Sequence, residues 1–320
     1  MRRGRPGAIA SLFPLQLLEL RRARESTARI SRVVRSLHNE MASASPTLEG
    51  YSQILESLAR DPRIAPHSPD WIRDGILAGG EKVRILRYIL ENAPANGHAP
   101  RVLDIGAQIG AFAIYAAKLG CRVSALDYGS FQEIYGPIAA GHGVDYRECD
   151  LAAGQLPFAD DSFEFVTYTD VIEHHAFSPR RVLREIHRVL VPGGCVILLT
   201  PNQASVYNRV LLLAGRSIHG DFDHFFDATA GESVYPGHHH EFTRAELRAA
   251  LERTHFKVRE CRAIEEDLAP LRYYRRLYPA RASEPGQRRT RVVRTLGRVW
   301  SALHLPFGRV LWAIGEKLPD

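Results

Sequence analysis

The stretch RVLDIGAQIGAF, residues 101–112, runs from a strand through a glycine turn into a helix, and it decides the fold. Val102, Leu103 and Ile105 suit a strand buried in a parallel sheet, and Gly106 and Gly110 remove side chains where the chain reverses. Backbone can approach a ligand closely at such a turn. A turn that seats a dinucleotide would read Gly-x-Gly-x-x-Gly and hold the pyrophosphate on the helix N-terminus. Here Gly106-Ala107-Gln108-Ile109-Gly110 lacks the middle glycine. Asp104, two residues before the first glycine, would repel phosphate but attract a cation or order the turn. Both features point away from a dinucleotide.

Around this stretch strands and helices alternate. Apolar runs predict strands near 101–105, 122–126, 145–149, 163–168, 194–199 and 256–261, with helices near 110–119, 131–139, 179–190 and 243–253. The fold class expected is α/β: a Rossmann-like doubly wound, mostly parallel sheet with helical N- and C-terminal extensions. Ser178 before Pro179 reads as a helix cap and first turn, and Thr243 with Glu246 as a capping box. The domain reading is a basic helical extension and linker over 1–70, a core over 71–262 and a basic amphipathic segment over 263–320.

The second strand ends at Asp127, seventeen residues past Gly110. A carboxylate there can accept from both hydroxyls of a ribose. The third strand ends near Asp150, whose carboxylate could accept from an exocyclic amine, and Leu151 could cover a purine face. A nucleoside without phosphate, carrying a positive group near Asp104, satisfies all three positions.

Five stretches in order, VLDIGAQIGAFAIYAAKLG, VSALD, CDLAAGQLPFADDSFEFVTYTDVIEHH, LREIHRVLVPGGCVILLTPN and HHHEFTRAELRAALERTHFKV, resemble the class I S-adenosylmethionine-dependent methyltransferases that act on small molecules. The resemblance covers about residues 80–262. It implies S-adenosyl-L-methionine as cofactor, with Asp104, Gly106 and Gly110 framing its methionine portion and Asp127 holding the ribose. It also implies Tyr128, Asp150 and Leu151 beside the adenine and Thr169 near the sulfonium. Gln108 stands where family members usually carry glycine, so it either crowds the pocket or turns its amide towards the cofactor carboxylate.

Methyl transfer from a sulfonium depends on alignment and desolvation, and an oxygen acceptor gains from a base. His174 and His175 follow the fourth strand, at the carboxyl edge where such sheets bind ligands. His238, His239 and His240 end an insertion, 201–241, which in related enzymes often covers the acceptor. The candidate bases are His174, His238 and His240. His219, Asp221, Asp223 and His224 have no recognised metal-ligand spacing, so no metal is expected. The acceptor expected is a small molecule, a sugar or a lipid-linked compound, methylated at oxygen. The alternatives are an NAD-dependent oxidoreductase, which the missing glycine and Asp104 oppose, and a non-catalytic cofactor-binding, membrane-associated protein.

The 320 residues are 45% hydrophobic and 24% charged, enough for one sizeable core with additions. Cys121, Cys149, Cys195 and Cys261 form no Cys-x-x-Cys pair, which disfavours a disulfide framework or zinc knuckle and fits a reducing cytoplasm. The basic, partly apolar start is broken by Pro14, Gln16 and Glu19 and followed by Arg21 and Arg22, against a cleaved signal. Residues 1–40 hold nine Lys and Arg against three acids and residues 281–320 eight against three, so basicity belongs to the ends. Apolar stripes at Ile30, Val33, Val34, Leu37 and Met41, and at Val292, Leu296, Val299 and Leu303, lie among arginines, with Trp300, Phe307 and Trp312 following. Peripheral contact with an anionic membrane and ordinary packing on the core both fit these segments. No nucleic-acid module accompanies the charge, and nucleic acid is set aside.

Overall fold

The order in which strands lie in the sheet explains why one end of it can bind a ligand. The computed structural model describes residues 45–64, 79–95, 97–129, 131–219, 237–264 and 308–319. Its sheet contains β1 (Arg101–Ile105), β2 (Arg122–Asp127), β3 (Asp145–Glu148), β4 (Phe163–Thr169), β5 (Leu190–Pro201), β6 (Phe256–Ile264) and β7 (Val310–Lys317). They lie in the order β3-β2-β1-β4-β5-β7-β6. β1 to β5 pair in parallel, whereas β7 runs antiparallel to both β5 and β6. The expected Rossmann-like, mostly parallel sheet is present. Its winding reverses between β1 and β4, and sheets of this kind bind ligands at such a point, outside the carboxyl ends of the strands.

Alternation along β1 sends successive side chains to opposite faces. Leu103 and Ile105 join one buried cluster, covered by α5 (Arg180–Val189) and α7 (Arg244–Glu252), which contribute Leu183, Ile186, Leu247 and Leu251. Val102 joins the other cluster, covered by α1 (Leu48–Ala59), α2 (Gly79–Glu91), α3 (Ala111–Lys118) and α4 (Phe131–Ala140). Asp104 shares the parity of Val102. Its carboxylate therefore lies on the side of α1 and α2.

Two segments enter the core from outside the limits expected for it. Within the stretch assigned to the N-terminal extension and linker, α1 buries Tyr51, Ile54, Leu55 and Leu58 against the sheet's helical layer. Its N-cap residue, Thr47, donates its backbone N–H to the Tyr115 hydroxyl at 2.9 Å. β7 falls in the stretch assigned to the basic C-terminal segment, yet it sits inside the sheet. Leu311 and Ala313 bury into one cluster, Trp312 and Ile314 into the other. A strand covered on both faces has an unbroken apolar run and no alternation, so its period carries no signal. Trp312 is 2% exposed and donates its indole N–H to Glu260 Oε2 at 3.0 Å.

The Thr243–Glu246 capping box forms as expected. α5 starts one residue later than the Ser178–Pro179 pair suggests, with Pro179 itself as N-cap and no side-chain cap. The basic stripes at 24–41 and 288–303 lie outside the described residues. Among the described residues no helix is long and apolar enough to cross a membrane, and all four cysteines are free.

Candidate functional site

The glycine turn is built by hydrogen bonding to the neighbouring strand. Gly106 and Ala107 both donate to the Leu126 carbonyl, at 2.9 and 3.0 Å. Gly106 has φ +78°, and a Cβ there would lie 2.2 Å from Val171 Cγ2. The requirement for glycine is thus packing of the β1 turn against the turn after β4, at the point where the sheet reverses. Gly110 caps α3 with φ +73°. Gln108 also adopts a left-handed backbone, φ +47°, which costs a side-chain-bearing residue on the order of 1–2 kcal/mol. Its N–H donates to Asp127 Oδ2 at 2.6 Å and its carbonyl accepts from the Tyr146 hydroxyl at 2.7 Å, while its side chain is exposed.

Asp127, at the end of β2, accepts a second backbone N–H, from Tyr128, at 2.7 Å on Oδ1. Burial raises its carboxyl, and the two amides oppose that rise. Each oxygen keeps lone-pair capacity for a further donor. Tyr128 beside it is 68% exposed. Asp150 is exposed and caps a single turn over Leu151–Ala153 by accepting from Ala152 N–H at 2.8 Å, and Leu151 is half-buried.

Asp104 is 4% exposed and accepts from the Thr167 hydroxyl at 2.7 Å. Burial pushes its carboxyl up to about 6, against the opposing pull of the Lys82 charge and the Thr167 hydrogen bond. Lys82 reaches this place from α2. It donates to Thr169 Oγ1 and lies 3.7 Å from Asp170 Oδ2. Asp170, the first residue past β4, holds φ +58°, a strained conformation of the kind that concentrates at functional turns. Lys82 is absent from the sequence candidates, because its helix also carries Arg84 and Arg87 and no spacing singles it out.

The histidines separate into two groups. His174 and His238, 64 positions apart, stand ring to ring at 4.8 Å. Between their segments lies Glu173, 1% exposed, which accepts from the Thr200 hydroxyl at 3.0 Å. Burial and the neighbouring Asp170 charge raise its carboxyl to about 8. The Glu173 carbonyl accepts from the His239 N–H at 2.7 Å, which ties the end of the insertion to the turn after β4. His238 Nδ1 lies 2.9 Å from Glu241 Oε1, and that contact raises the imidazole above its ordinary value. His240 is placed elsewhere: it is exposed, stacks edge-on to Phe242 and lies 3.9 Å from Glu246. Of the three expected bases the structure brings His174 and His238 together, with His240 outside that cluster. His175 contacts the Tyr168 hydroxyl and stacks on Phe177, and burial lowers it to about 4. His219 is exposed, and Asp221, Asp223 and His224 lie outside the described residues.

The doubly wound, mostly parallel sheet, with Asp104 buried and Lys82 paired to Asp170 at its switch point and Asp127 ending β2, places the protein in the α/β class. A family model described as "Methyltransferase domain" matches residues 78–260, more than half of the chain. The ubiquinone/menaquinone biosynthesis C-methyltransferase UbiE of Desulfotalea psychrophila is 31% identical over 189 residues, covering 55% of this chain and 72% of the relative. The demethylmenaquinone methyltransferase of Mycobacterium marinum is 33% identical over 176 residues, covering 49% and 71%. The ubiquinone biosynthesis O-methyltransferase of Pseudomonas aeruginosa is 33% identical over 113 residues, covering 32% and 45%. The chain belongs to the class I S-adenosylmethionine-dependent methyltransferases, and the oxidoreductase alternative falls away.

Proposed function

We propose that the protein methylates an oxygen of a small-molecule or lipid-linked acceptor that enters above the carboxyl ends of β1 and β4, beneath the 201–241 insertion. The observation that carries this reading is a buried acid near a base at the carboxyl ends of β1 and β4: Asp104 feels the charge of Lys82, which donates to Thr169 and lies 3.7 Å from Asp170. The methionine portion of the cofactor has an ammonium and a carboxylate, and one buried acid with one base facing it complements that zwitterion. The donor set fits the rest of the group. Asp127 holds the ribose hydroxyls on its remaining lone pairs, Tyr128 and Leu151 cover the adenine with Asp150 at its amine, Gly106 and Gly110 shape the turn, and Thr169 lies towards the sulfonium.

When bound, S-adenosylmethionine supplies an electrophilic methyl group on a sulfonium, and the carbon–sulfur bond breaks with its electron pair left on sulfur. The chain's own work is to align the acceptor oxygen and ease loss of its proton, and Glu173, His174 and His238 cluster just past β4, beside Thr169 and Asp170. A cluster of this kind suits a hydroxyl acceptor, whose proton must leave as the new carbon–oxygen bond forms. The relatives named for ubiquinone and menaquinone biosynthesis, one a C-methyltransferase and one an O-methyltransferase, support a small-molecule acceptor. The lipid-linked choice draws support from α6 (Val206–Leu213) in the insertion, where Val210, Leu212 and Leu213 are exposed, Leu213 to 89%.

The test is transfer of labelled methyl from S-adenosylmethionine by the full chain to phenolic, quinol, sugar-hydroxyl and amine acceptors. Hydroxyl acceptors should be methylated, and His238→Ala should lower that rate about 10²-fold or more while leaving the affinity for S-adenosylhomocysteine unchanged. Transfer to amines alone, or a parental rate in the variant, would overturn the reading.

A further inference from the structure

Glu173, His174 and His238 each offer one ligand atom, and these atoms lie within 4.8 Å of one another. Ligand atoms about 2.0–2.2 Å from a common ion sit roughly 3–3.5 Å apart, so the set must draw in to close around a cation. What surrounds the three residues matters as much as their spacing. His238 Nδ1 meets Glu241 Oε1 at 2.9 Å, and Glu241 is buried and accepts from Asn208 Nδ2 at 3.3 Å. Donation from Nδ1 to that carboxylate leaves the ring lone pair on Nε2. His174 Nδ1 faces the Gly237 carbonyl at 3.3 Å, the same arrangement with a backbone acceptor. Glu173 is fixed by the Thr200 hydroxyl. An imidazole backed at Nδ1 by a carboxylate or carbonyl is the usual outer support of a metal-bound histidine.

We propose that Glu173, His174 and His238 form a site for one divalent transition cation of the zinc class. Two imidazole nitrogens with one carboxylate suit such an ion, whereas magnesium and calcium favour all-oxygen sets. Three protein ligands leave a coordination position open. Because the cluster follows β4 directly, beside Thr169 and Asp170, that position faces the place assigned to the acceptor, and this step rests on the methyl-transfer reading above. There the ion would hold the acceptor oxygen and ease loss of its proton to solvent, the oxygen lone pair forming the new carbon–oxygen bond as the carbon–sulfur bond breaks. An acceptor with two neighbouring oxygens would gain most.

The test uses the full chain, stripped with a chelator and titrated calorimetrically with zinc chloride, with cobalt(II) absorption as a second probe. One equivalent should bind. His174→Ala and His238→Ala should each weaken it at least about 100-fold, and Glu241→Gln about 10-fold, with S-adenosylhomocysteine affinity reporting that every variant is folded. The chain has 14 histidines, so zinc bound as tightly by the two alanine variants as by the parent marks adventitious binding and overturns the site, as does a parent that takes up none. Zinc binding as expected in a parent that fails to bind S-adenosylhomocysteine would leave the metal site standing and sink the methyl-transfer reading.

Discussion

Replacing Asp104 with asparagine should make the protein more stable at neutral pH and worse at its task. Burial raises the folded carboxyl from its ordinary 3.8 to about 6. As pH rises, the unfolded chain gives up this proton near pH 4, while the folded chain holds it until about pH 6. Across that window unfolding releases a proton, so this group's contribution makes stability fall as pH rises, and the loss is complete above pH 6. At about 1.4 kcal/mol per pKa unit, the ionised carboxylate costs the folded state on the order of 3 kcal/mol. Asparagine keeps an acceptor for the Thr167 hydroxyl and has no charge to desolvate. The stability difference between Asp104→Asn and the parent should therefore grow by about 2–3 kcal/mol in the variant's favour between pH 4 and pH 7.5, whatever constant offset the amide introduces. Urea unfolding followed by tryptophan fluorescence at the two pH values measures it. A difference that does not change with pH would show that Asp104 carries no buried charge and would remove its proposed role opposite the cofactor ammonium.

Asp127→Ala should weaken S-adenosylhomocysteine binding by at least about 2 kcal/mol, because two charge-assisted hydrogen bonds to the ribose are lost; calorimetry checks it, and unchanged affinity would exclude Asp127 as the ribose ligand. Trp312→Ala should cost about 3–5 kcal/mol in denaturant unfolding, as expected for truncating a buried aromatic. A loss under about 1 kcal/mol would place β7 outside the cooperative core.

Local chemistry is what the sequence makes legible. The β1 turn and α3 follow from apolar residues meeting glycine, and the α7 capping box from two side chains three positions apart. Asp127 follows from its place at a strand end. Contacts between distant segments were hidden. β7 pairs with β5 across more than a hundred residues, and nothing in Leu311–Gly315 announces an antiparallel insertion between β5 and β6. Lys82 lies on a helix that precedes the motif, and only the fold turns it towards Thr169. Glu173 reads as one more acid in DVIEHH, and its burial depends on Thr200 and the return of the insertion at His239.

The carboxyl edge also accounts for the choice of cofactor in electrostatic terms. Asp104, Asp127, Asp150 and Asp170 all stand at or just past the ends of parallel strands or the turns that follow them. Lys82 is the cation that Asp104 and Asp170 share there, so acids outnumber bases around the crevice. A pyrophosphate would meet like charge at Asp104 and would be opposed within a low-dielectric pocket, where such repulsion is weakly screened. A sulfonium nucleoside would meet the opposite condition: in the proposed site its ammonium and sulfonium would be drawn to the edge, and its single carboxylate would have Lys82 to face. Once the methyl group has left, the sulfonium becomes a neutral thioether and loses one unit of attraction to the same acids. The acidic edge therefore favours the charged cofactor over its spent form, so that replacing Asp104 weakens retention of S-adenosylmethionine more than of S-adenosylhomocysteine.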